Sequence, residues 1–457
     1  MFESPDRILV ELKKMADEGK FTPFRELAEH FEAADLAWAL GRIDDRSLVM
    51  AFRVLGKEMA AKVFVEMESD EQELLLGALT DRELRAVVDD LYPDDAADLI
   101  EELPAIMVKR ILKHADPEMR QQINELLRYP KDSAGSIMTP EYVALRRTMT
   151  VQEAFDRIRR IGLDKETVYT CYVVSASRRL EGVITVKDLL MAKLEDKIED
   201  LMERDVVYFK TLDDRETVAQ AFDKYDFLAF PITDGEGRLV GIVTVDDAMD
   251  VLQEETTEDI EKMAAILPGD KPYLKTGIFE TFKNRIPWLL ILMISATVTG
   301  QIIAGFEAAL AAQAALIAFI PMLMDTGGNS GSQASVTIIR SLSLQELRFG
   351  DLFRVIWKEL RVSLLCGIIL SGANFLKILL VDNLIFGAGI SLVVAAVVCS
   401  TLCLTVIVAK LVGCALPMAA KKIGLDPAVM ASPFITTIVD AISLLIYFAI
   451  ARGLLGI

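Results

Sequence analysis

The sequence predicts a multidomain membrane protein with four parts: an all-α superhelical N-terminal domain, an α/β tandem repeat pair, a long connecting helix and an α-helical membrane domain with five spans. Charge is segregated along the 457 residues: residues 1–276 contain 59 acidic and 37 basic residues, whereas residues 277–457 contain 9 and 12. Residues 133–252 contain an internal repeat, and long apolar segments follow Arg285. These properties exclude a disordered, fibrous or ordinary secreted chain, and the acidic surface argues against nucleic acid as a partner.

Residues 1–130 are predicted to form a cytosolic helical domain. Leucine and alanine recur at helical spacing, and stop signals such as Thr80-Asp81 and Tyr92-Pro93 separate short helices. Three segments, AADLAWAL, AAKVFVEM and AADLIEELP, resemble one another weakly, which indicates helical hairpins stacked as a superhelix. The chain starts without the apolar run of a signal peptide, so we expect this domain to stay in the cytoplasm.

The internal repeat indicates two small α/β domains, at 133–198 and 199–252. LEGVITVKDLL at 180–190 matches LVGIVTVDDAM at 239–249, and each copy is predicted to contain an extended segment, a helix, two short strands and a helix. This pattern resembles a tandem pair of CBS domains, which implies a regulatory module that is often dimeric. In such domains the repeat position of Asp188 and Asp247 often contacts a ribose, and Phe227 is suited to stack on a base, so ATP is a candidate regulator.

Residues 246–275 are predicted to form an acidic, plug-like connecting helix before the membrane. One face of it is acidic within about 80° at 100° per residue, and the acidic residues are Asp247, Asp250, Glu254, Glu258 and Glu261. Like charges one turn apart repel, and a bound divalent cation would relieve that repulsion. Asp94 and Asp98 form a similar pair in the N-terminal domain. The alternative is the solvated side of an amphipathic helix.

Residues 286–457 are predicted to form a membrane domain with spans at about 286–306, 310–339, 354–381, 388–418 and 429–452. Pro321 and Gly327-Gly328 interrupt the second segment and predict a broken helix. The loops between spans two and three and between four and five are basic, through Arg340, Arg348, Arg354, Lys358, Arg361, Lys421 and Lys422. The positive-inside rule places these loops in the cytoplasm. We therefore expect a multi-pass protein of the plasma (inner) membrane with a cytoplasmic N-terminal half and an outer C-terminus.

Asp440 is the strongest candidate for function, because a carboxylate near mid-membrane is costly and usually belongs to an ion or substrate pathway. Thr436 and Thr437 lie on roughly the same face, and Pro433 is expected to free a backbone carbonyl. Such a wall of oxygen atoms suits Mg²⁺ that retains part of its water. In the second span the small and polar segment 321–342, with Asn329 and Gln333, is suited either to line a path or to pack helices tightly.

Two long motifs resemble the MgtE magnesium channel family. Residues 321–333 have the pattern P-x-L-x-x-T-G-G-N-x-G-x-Q, and residues 426–440 have D-P-A-x(4)-P-x(2)-T-x(3)-D. The order of domains matches as well. The resemblance implies a homodimeric channel in the lipid bilayer that imports Mg²⁺ through a pore at the subunit interface, with Asp440 as the pore carboxylate.

The same resemblance implies that intracellular Mg²⁺, bound between the acidic domains, holds the pore shut. The residues carried over as its ligands are Glu216, Asp226, Asp247, Asp250 and Glu258. The chain departs from the family pattern at Asp325, where an uncharged residue is expected. Two roles stay open for Asp325: it is either a second cation ligand or the cap of the following helix.

Two other function classes stay open at this stage. One is a secondary transporter of Mg²⁺ or other divalent cations coupled to Na⁺ or H⁺, and the other is a membrane-anchored CBS sensor without transport. An enzyme is not expected, because His30 and His114 suit ordinary helical positions and the chain has no Walker A motif. The five cysteines form no C-x-x-C pair, which predicts neither a zinc site nor a disulfide framework.

Overall fold

The computed structural model describes residues 5–269, 273–430 and 432–456. The chain divides into two compact units, Met1–Leu252 and Gln253–Ile457. The first contains the N-terminal helices and the repeat pair, and the second contains the apolar helices.

The N-terminal part of the first unit is a stack of short helices. Its helices are α1 (Pro5–Glu18), α2 (Phe24–Ala28), α3 (Ala33–Leu40), α4 (Asp45–Phe52), α5 (Lys57–Val65), α6 (Ser69–Ala78), α7 (Asp81–Val88), α8 (Pro93–Glu102), α9 (Ala105–His114) and α10 (Pro117–Leu126). Helix α1 packs on α3, α3 on α5, α5 on α7 and α7 on α9, so the packing repeats every two helices. The predicted superhelix of hairpins is confirmed.

Side-chain caps fix where several of these helices begin. Thr80 and Glu83 form a reciprocal capping box at the start of α7, and the Asp44 carboxylate accepts a hydrogen bond from the Ser47 N–H at the start of α4. Pro93 opens α8 in its first turn, where no intrahelical N–H bond is lost.

The repeat pair forms two three-stranded sheets of the same topology. The strands are β1 (Val143–Leu145), β2 (Thr170–Val174), β3 (Leu180–Thr185), β4 (Phe209–Lys210), β5 (Ala229–Thr233) and β6 (Leu239–Thr244). In each sheet the first strand is parallel to the second, and the second is antiparallel to the third. The helices are α11 (Val151–Ile161), α12 (Val186–Met191), α13 (Ile198–Leu201), α14 (Arg215–Tyr225) and α15 (Val245–Met263). The predicted element order of both copies is confirmed.

Helix α15 is shorter than the predicted connecting helix of residues 246–275. It ends at Met263, and Ala265 takes a left-handed φ of 55°. Pro268 and Gly269 follow, which prevents the helix from resuming at once. Residues 270–272 lie outside the described residues.

The second unit contains the long apolar helices. They are α16 (Ile278–Gly305), α17 (Glu307–Ala312), α18 (Ile320–Ser343), α19 (Leu352–Lys377), α20 (Leu392–Lys422) and α21 (Ser432–Leu455), with a π-helix, Ile378–Ile385, after α19. Helix α18 packs extensively on α20 and α21. In the described part of the chain, four helical segments are long and apolar enough to cross a membrane, namely Ile278–Gly305, Phe349–Ile385, Leu392–Lys422 and Pro427–Leu455.

The second predicted span differs from the expectation. Helix α18 is continuous through Gly327-Gly328, so the predicted break there is wrong. Pro321 lies in its first turn, where proline costs no helical hydrogen bond. The interruption comes earlier, because α17 ends at Ala312 and a 3₁₀ turn, Ala314–Phe319, separates it from α18. Four spans follow from length and composition, and the fifth, α18, stays a prediction.

Candidate cation-binding sites

Two helix starts bring an acidic cluster together inside the first unit. Asp94 and Asp95 lie in the first turn of α8, with Asp98 one turn later. Asp246 and Asp247 lie in the first turn of α15. We call these five residues together with Glu166, from the loop before β2, the acidic cluster. Acidic residues are favoured at a helix N-terminus, which explains why each helix begins with a pair of them.

Burial and mutual repulsion raise the pKa of most carboxyl groups in the acidic cluster. Burial first, and Asp95 second, raise the pKa of Asp94 to about 7. Burial, Asp94 and then Asp247 raise the pKa of Asp98 to about 8. Burial also raises the pKa of Asp247 to about 7 and that of Asp95 to about 6. In this set each charged neighbour that raises a pKa is another carboxylate.

Two oxygen atoms of the acidic cluster are buried without a hydrogen-bond partner in the described part of the chain. These are Oδ1 of Asp94 and Oε2 of Glu166. Asp94 is only 8% exposed, and burial followed by the charge of Asp94 raises the pKa of Glu166 to about 8. Buried acceptors without a donor are costly. The arrangement can therefore hold protons, or a hard cation that prefers carboxylate oxygen.

The other predicted ligands of the first unit are more dispersed. Asp250 lies beyond the acidic cluster on α15, where burial and then Asp246 raise its pKa, and it interacts in turn with Glu66. Glu216 accepts a hydrogen bond from the Gln220 amide at 2.8 Å. Asp226 is an exposed residue that ends α14 in a left-handed conformation.

In the second unit, Glu254 is exposed and Glu258 forms an ion pair with Lys262. Glu258 thus already has a cationic partner. Cation binding by the connecting helix is consequently better supported at its start, at Asp246 and Asp247, than at Glu258.

Sequence reasoning missed Glu166, Glu66 and Asp246 as members of this acidic region. Glu166 has no acidic neighbour at helical spacing on its own element, so no local pattern marks it. It joins the acidic cluster because the loop before β2 returns to the start of α8, as its interactions with Asp94 and Asp95 show. Asp246 adjoins the predicted ligand Asp247 but lies outside the acidic face of the connecting helix.

In the second unit, the glycines of α18 form a face for close helix packing. A Cβ atom at Gly328 would lie 2.8 Å from Cγ2 of Thr436, and one at Gly327 would lie 2.8 Å from Cγ2 of Thr405. A Cβ atom on Gly413 of α20 would lie 2.2 Å from the carbonyl oxygen of Gly331. Such approaches require glycine. The packing reading of segment 321–342 therefore holds for its glycines.

The polar residues of α18 lie on a different, exposed face. Asp325, Asn329, Gln333 and Thr337 are exposed and follow one another at intervals of four residues. We call these four residues the polar stripe. Residues four apart are neighbours on a helix surface. The polar stripe is thus separate from the glycine face, and its role in lining a path stays a prediction.

Asp440 lies on α21, half-buried, with its Oδ1 buried and without a hydrogen-bond partner among the described residues. Thr436 donates a hydrogen bond to the Ser432 carbonyl at 2.7 Å, and Thr437 donates one to the Pro433 carbonyl at 3.0 Å. The expectation that Pro433 frees a carbonyl is wrong, because it lies in the first turn of α21. The threonine oxygens keep lone pairs that can accept hydrogen bonds from a hydrated ion.

The two residues predicted to bind a nucleotide have ordinary local roles as well. Asp188 accepts a hydrogen bond from the Thr185 N–H at 3.2 Å within the capping box that starts α12. Phe227 is 46% exposed and stacks on Tyr225 with ring centroids 5.9 Å apart. Both side chains remain accessible to a ligand.

Comparison with known proteins gives matches over nearly the whole chain. The family model MgtE, described as a divalent cation transporter, matches residues 320–450, the MgtE intracellular N domain matches 31–132, and the CBS domain matches 134–195 and 198–254. The "Magnesium transporter MgtE" of Thermus thermophilus is 38% identical over 454 residues, covering 98% of this chain and 99% of the relative. The chain belongs to the MgtE family. This confirms the resemblance inferred from the two motifs.

Further members of the MgtE family are similar in sequence and in structure. The "Magnesium transporter MgtE" of Bacillus subtilis is 32% identical over 449 residues, covering 98% of this chain and 97% of the relative. The crystal structure of "the cytosolic domain of the Mg2+ channel MgtE in complex with ATP" has a TM-score of 0.51 and 38% identity, covering 53% of this chain and 99% of that chain. The MgtE family comprises transporters and not enzymes, so the prediction of a non-enzyme is confirmed.

Proposed function

We propose that this chain is a Mg²⁺ channel that imports Mg²⁺ and that cytosolic Mg²⁺ closes. The observation that supports transport most directly is the carboxylate oxygen Oδ1 of Asp440, which has no hydrogen-bond partner among the described residues and lies on an apolar helix long enough to cross a membrane. A buried carboxylate without a partner is retained in such a helix mainly for an ion pathway. Magnesium is the ion that the printed names of the relatives give.

The pore requires a second copy of the chain in this proposal. In one protomer the polar stripe faces outward, although it lies on a helix of the membrane unit. A homodimer that packs two such faces together would enclose Asn329, Gln333, Thr436 and Asp440 around a hydrated ion. A wide polar ring suits Mg²⁺, which loses its water reluctantly.

Closure by cytosolic Mg²⁺ follows from the acidic cluster in the same proposal. Without cations, Asp94, Asp98 and Asp247 repel one another once they are ionised. Bound Mg²⁺ would replace that repulsion by attraction and favour the compact arrangement of the unit. Several modest sites together can supply the roughly 5.5 kcal/mol that moves a two-state equilibrium from 1:99 to 99:1. ATP is a candidate regulator at Asp188 and Phe227, because a relative's cytosolic domain has been crystallised with it.

A secondary transporter coupled to Na⁺ or H⁺ is the second candidate function. The observation that favours it is the electrostatic interaction of Asp440 with Asp325, because coupling needs a second site in the membrane. Reversal potentials of the purified protein in a planar bilayer separate the two candidates. A channel reverses at the Mg²⁺ equilibrium potential regardless of Na⁺ or H⁺ gradients, whereas a coupled transporter shifts with them. Absence of Mg²⁺ movement in the folded protein would contradict both.

The proposed orientation has the N-terminal half in the cytoplasm and the C-terminus outside the inner membrane. It rests on the basic loops and on α18 as a fifth span. A cysteine introduced beside Lys421 should be labelled only from the cytoplasmic side, and one beside Asp382 only from the outside. The opposite labelling, or labelling of both from one side, would contradict the orientation.

A further inference from the structure

Asp325 has no structural role that explains its presence in α18. The helix begins at Ile320 with Phe319 as its N-cap residue, and Asp325 lies in the second turn, so it does not cap the helix. Its side chain is exposed, and no described group forms a hydrogen bond or a salt bridge with it. The sequence left two roles open for Asp325, a helix cap and a second cation ligand. The structure excludes the role of helix cap.

The packing of α18 on α21 determines where Asp325 lies. A Cβ atom at Gly331 would lie 2.9 Å from Cγ2 of Ile435, whereas one at Gly327 would lie 3.1 Å from Cγ1 of Val439. Residue numbers therefore fall along α18 as they rise along α21, which makes the two helices antiparallel. Gly328 stands against Thr436. Asp325 precedes Gly328 by three residues, and Asp440 follows Thr436 by four.

One helical turn advances about 5.4 Å along the axis, so these two steps lead to the same level. Asp325 and Asp440 therefore lie side by side at the edge of the α18–α21 contact. The electrostatic interaction of Asp325 with the Asp440 carboxyl agrees with this placement. Along the polar stripe, Asn329 is the next residue toward the other end of α18.

We propose that Asp325 supplies a second carboxylate to the cation path beside Asp440, a role that rests on the channel function proposed above. Asp440, whose Oδ1 has no hydrogen-bond partner among the described residues, and the exposed Asp325 lie at the same level of the helix pair. Two neighbouring carboxylates attract a divalent cation more strongly than one, and they hold it through its water shell without a closed cage. Asp325 thus sets how well the path captures Mg²⁺ when Mg²⁺ is scarce.

The test measures Mg²⁺ uptake by the full-length protein in liposomes over a range of Mg²⁺ concentrations. Asp325→Asn keeps the shape of the side chain and removes its charge. We expect the half-saturating Mg²⁺ concentration to rise about five- to tenfold, because one of two nearby attracting charges is lost. The difference from wild type should shrink in high N-methylglucamine chloride, which screens exposed charges. Asp325→Glu should restore most of the capture.

Two further variants, Glu307→Gln and Asp440→Asn, distinguish a failure of the role proposed for Asp325 from a failure of the proposed channel function. Glu307→Gln removes another exposed carboxylate of the same unit, on α17, and should leave the half-saturating concentration unchanged. If Asp325→Asn matches wild type, or if Glu307→Gln has the same effect as Asp325→Asn, the assignment of Asp325 is overturned. Absence of uptake by the wild type, or full uptake by Asp440→Asn, would instead overturn the proposed channel function.

Discussion

Lys262, in the last turn of α15, donates a hydrogen bond of 2.7 Å to Oδ2 of Asp426, which precedes α21 in the chain. One turn earlier, Asp259 accepts a hydrogen bond of 3.3 Å from Ser343, the last residue of α18. The end of α15 is thus hydrogen-bonded to the end of α18 and to the segment before α21. These two helices carry the candidate pore residues. A movement of α15 would reach α18 and α21 through these two contacts.

Replacing Lys262 by methionine should weaken this connection. Lys262 forms ion pairs with both Glu258 and Asp426, and these partners raise its pKa against the opposing effect of burial. Without the charge of Lys262, the carboxylates of Glu258, Asp259 and Asp426 repel one another. We expect Lys262→Met to conduct without cytosolic Mg²⁺ but to need several times more Mg²⁺ for half-inhibition, measured as current against cytosolic Mg²⁺.

Lys62→Met is a matched control for that experiment. Lys62 forms an exposed ion pair with Glu58 on α5, at 2.9 Å, and such surface pairs contribute little. The control should leave inhibition as in the wild type. Unchanged inhibition in Lys262→Met would mean that closure does not pass through Asp426.

Neutralising the acidic cluster should weaken closure by Mg²⁺. The double variant Asp98→Asn/Asp247→Asn removes two carboxylates of the acidic cluster, and the charge of Asp94 raises the pKa of both. It keeps the volume of the side chains but removes charged oxygen ligands. We expect half-inhibition to shift to at least about tenfold higher Mg²⁺, since a loss of 1.4 kcal/mol in binding is a factor of ten. Protease accessibility of the cytosolic unit with and without Mg²⁺ is the second measurement.

The exposed carboxylates of Asp205 and Asp223 provide the control for charge number. Asp205→Asn/Asp223→Asn also removes two negative charges from the first unit and should close normally. If both double variants behave like the wild type, the acidic cluster is not the sensor.

How much the sequence predicted depends on the range of the contacts involved. Local patterns predicted the helical stack and both CBS copies, because periodicity and turn residues are visible within a few residues. They also singled out Asp440 as an isolated acid in an apolar segment, and its role stays a prediction. Glu166 was missed because only the folded loop brings it to Asp94. The break at Gly327-Gly328 was predicted from glycine's low helix propensity, but close packing against Thr405 and Thr436 stabilises the helix there and overrides that propensity.

The acidic cluster also predicts how pH affects the first unit without Mg²⁺. The folded pKa values of Asp94, Asp98, Glu166 and Asp247, about 7 to 8, lie above the ordinary values of these groups, which are near 4. The folded state therefore holds more protons than the unfolded state between pH 4 and 8. The stability that these protons provide is complete below about pH 4 and is lost as pH rises through about 6 to 8.

We therefore expect the midpoint of thermal unfolding of the cytosolic unit to fall between pH 6 and 8 without Mg²⁺, measured by circular dichroism of the full-length protein. Saturating Mg²⁺ replaces the protons and should flatten this dependence. Mg²⁺ should also bind more tightly at pH 8 than at pH 6, because it competes with protons for the same oxygens. A midpoint that rises with pH in the absence of Mg²⁺ would contradict the cluster's pKa values.

The approach of α18 to α20 can be tested with a single methyl group. Gly413→Ala places a Cβ atom 2.2 Å from the Gly331 carbonyl oxygen, and a backbone atom cannot move aside cheaply. We expect the membrane unit to lose about 1–3 kcal/mol of stability through overpacking. Gly372→Ala on α19 meets no atom within 4 Å and should not destabilise the unit. Thermal unfolding in detergent compares the two, and equal midpoints would contradict the described packing.

The charge of Asp440 is the property on which conduction should depend most. Asp440→Ala removes both carboxylate oxygens, and Asp440→Asn keeps the shape and one acceptor but removes the charge. Each should abolish Mg²⁺ uptake in liposomes, because a neutral group at that depth cannot offset the cost of bringing a divalent ion into the membrane. Neither should unfold the protein, since no described group forms a hydrogen bond with the buried Oδ1.

Gel filtration and the unfolding midpoint of each Asp440 variant separate loss of conduction from loss of fold. Asp382→Asn serves as the matched control, because Asp382 is another carboxylate of the same unit, ion-paired with Lys377 at 2.9 Å and outside the polar stripe. It should retain uptake. Wild-type uptake by folded Asp440→Asn would show that the charge is not required, and Mg²⁺ would then have to cross elsewhere in the membrane unit.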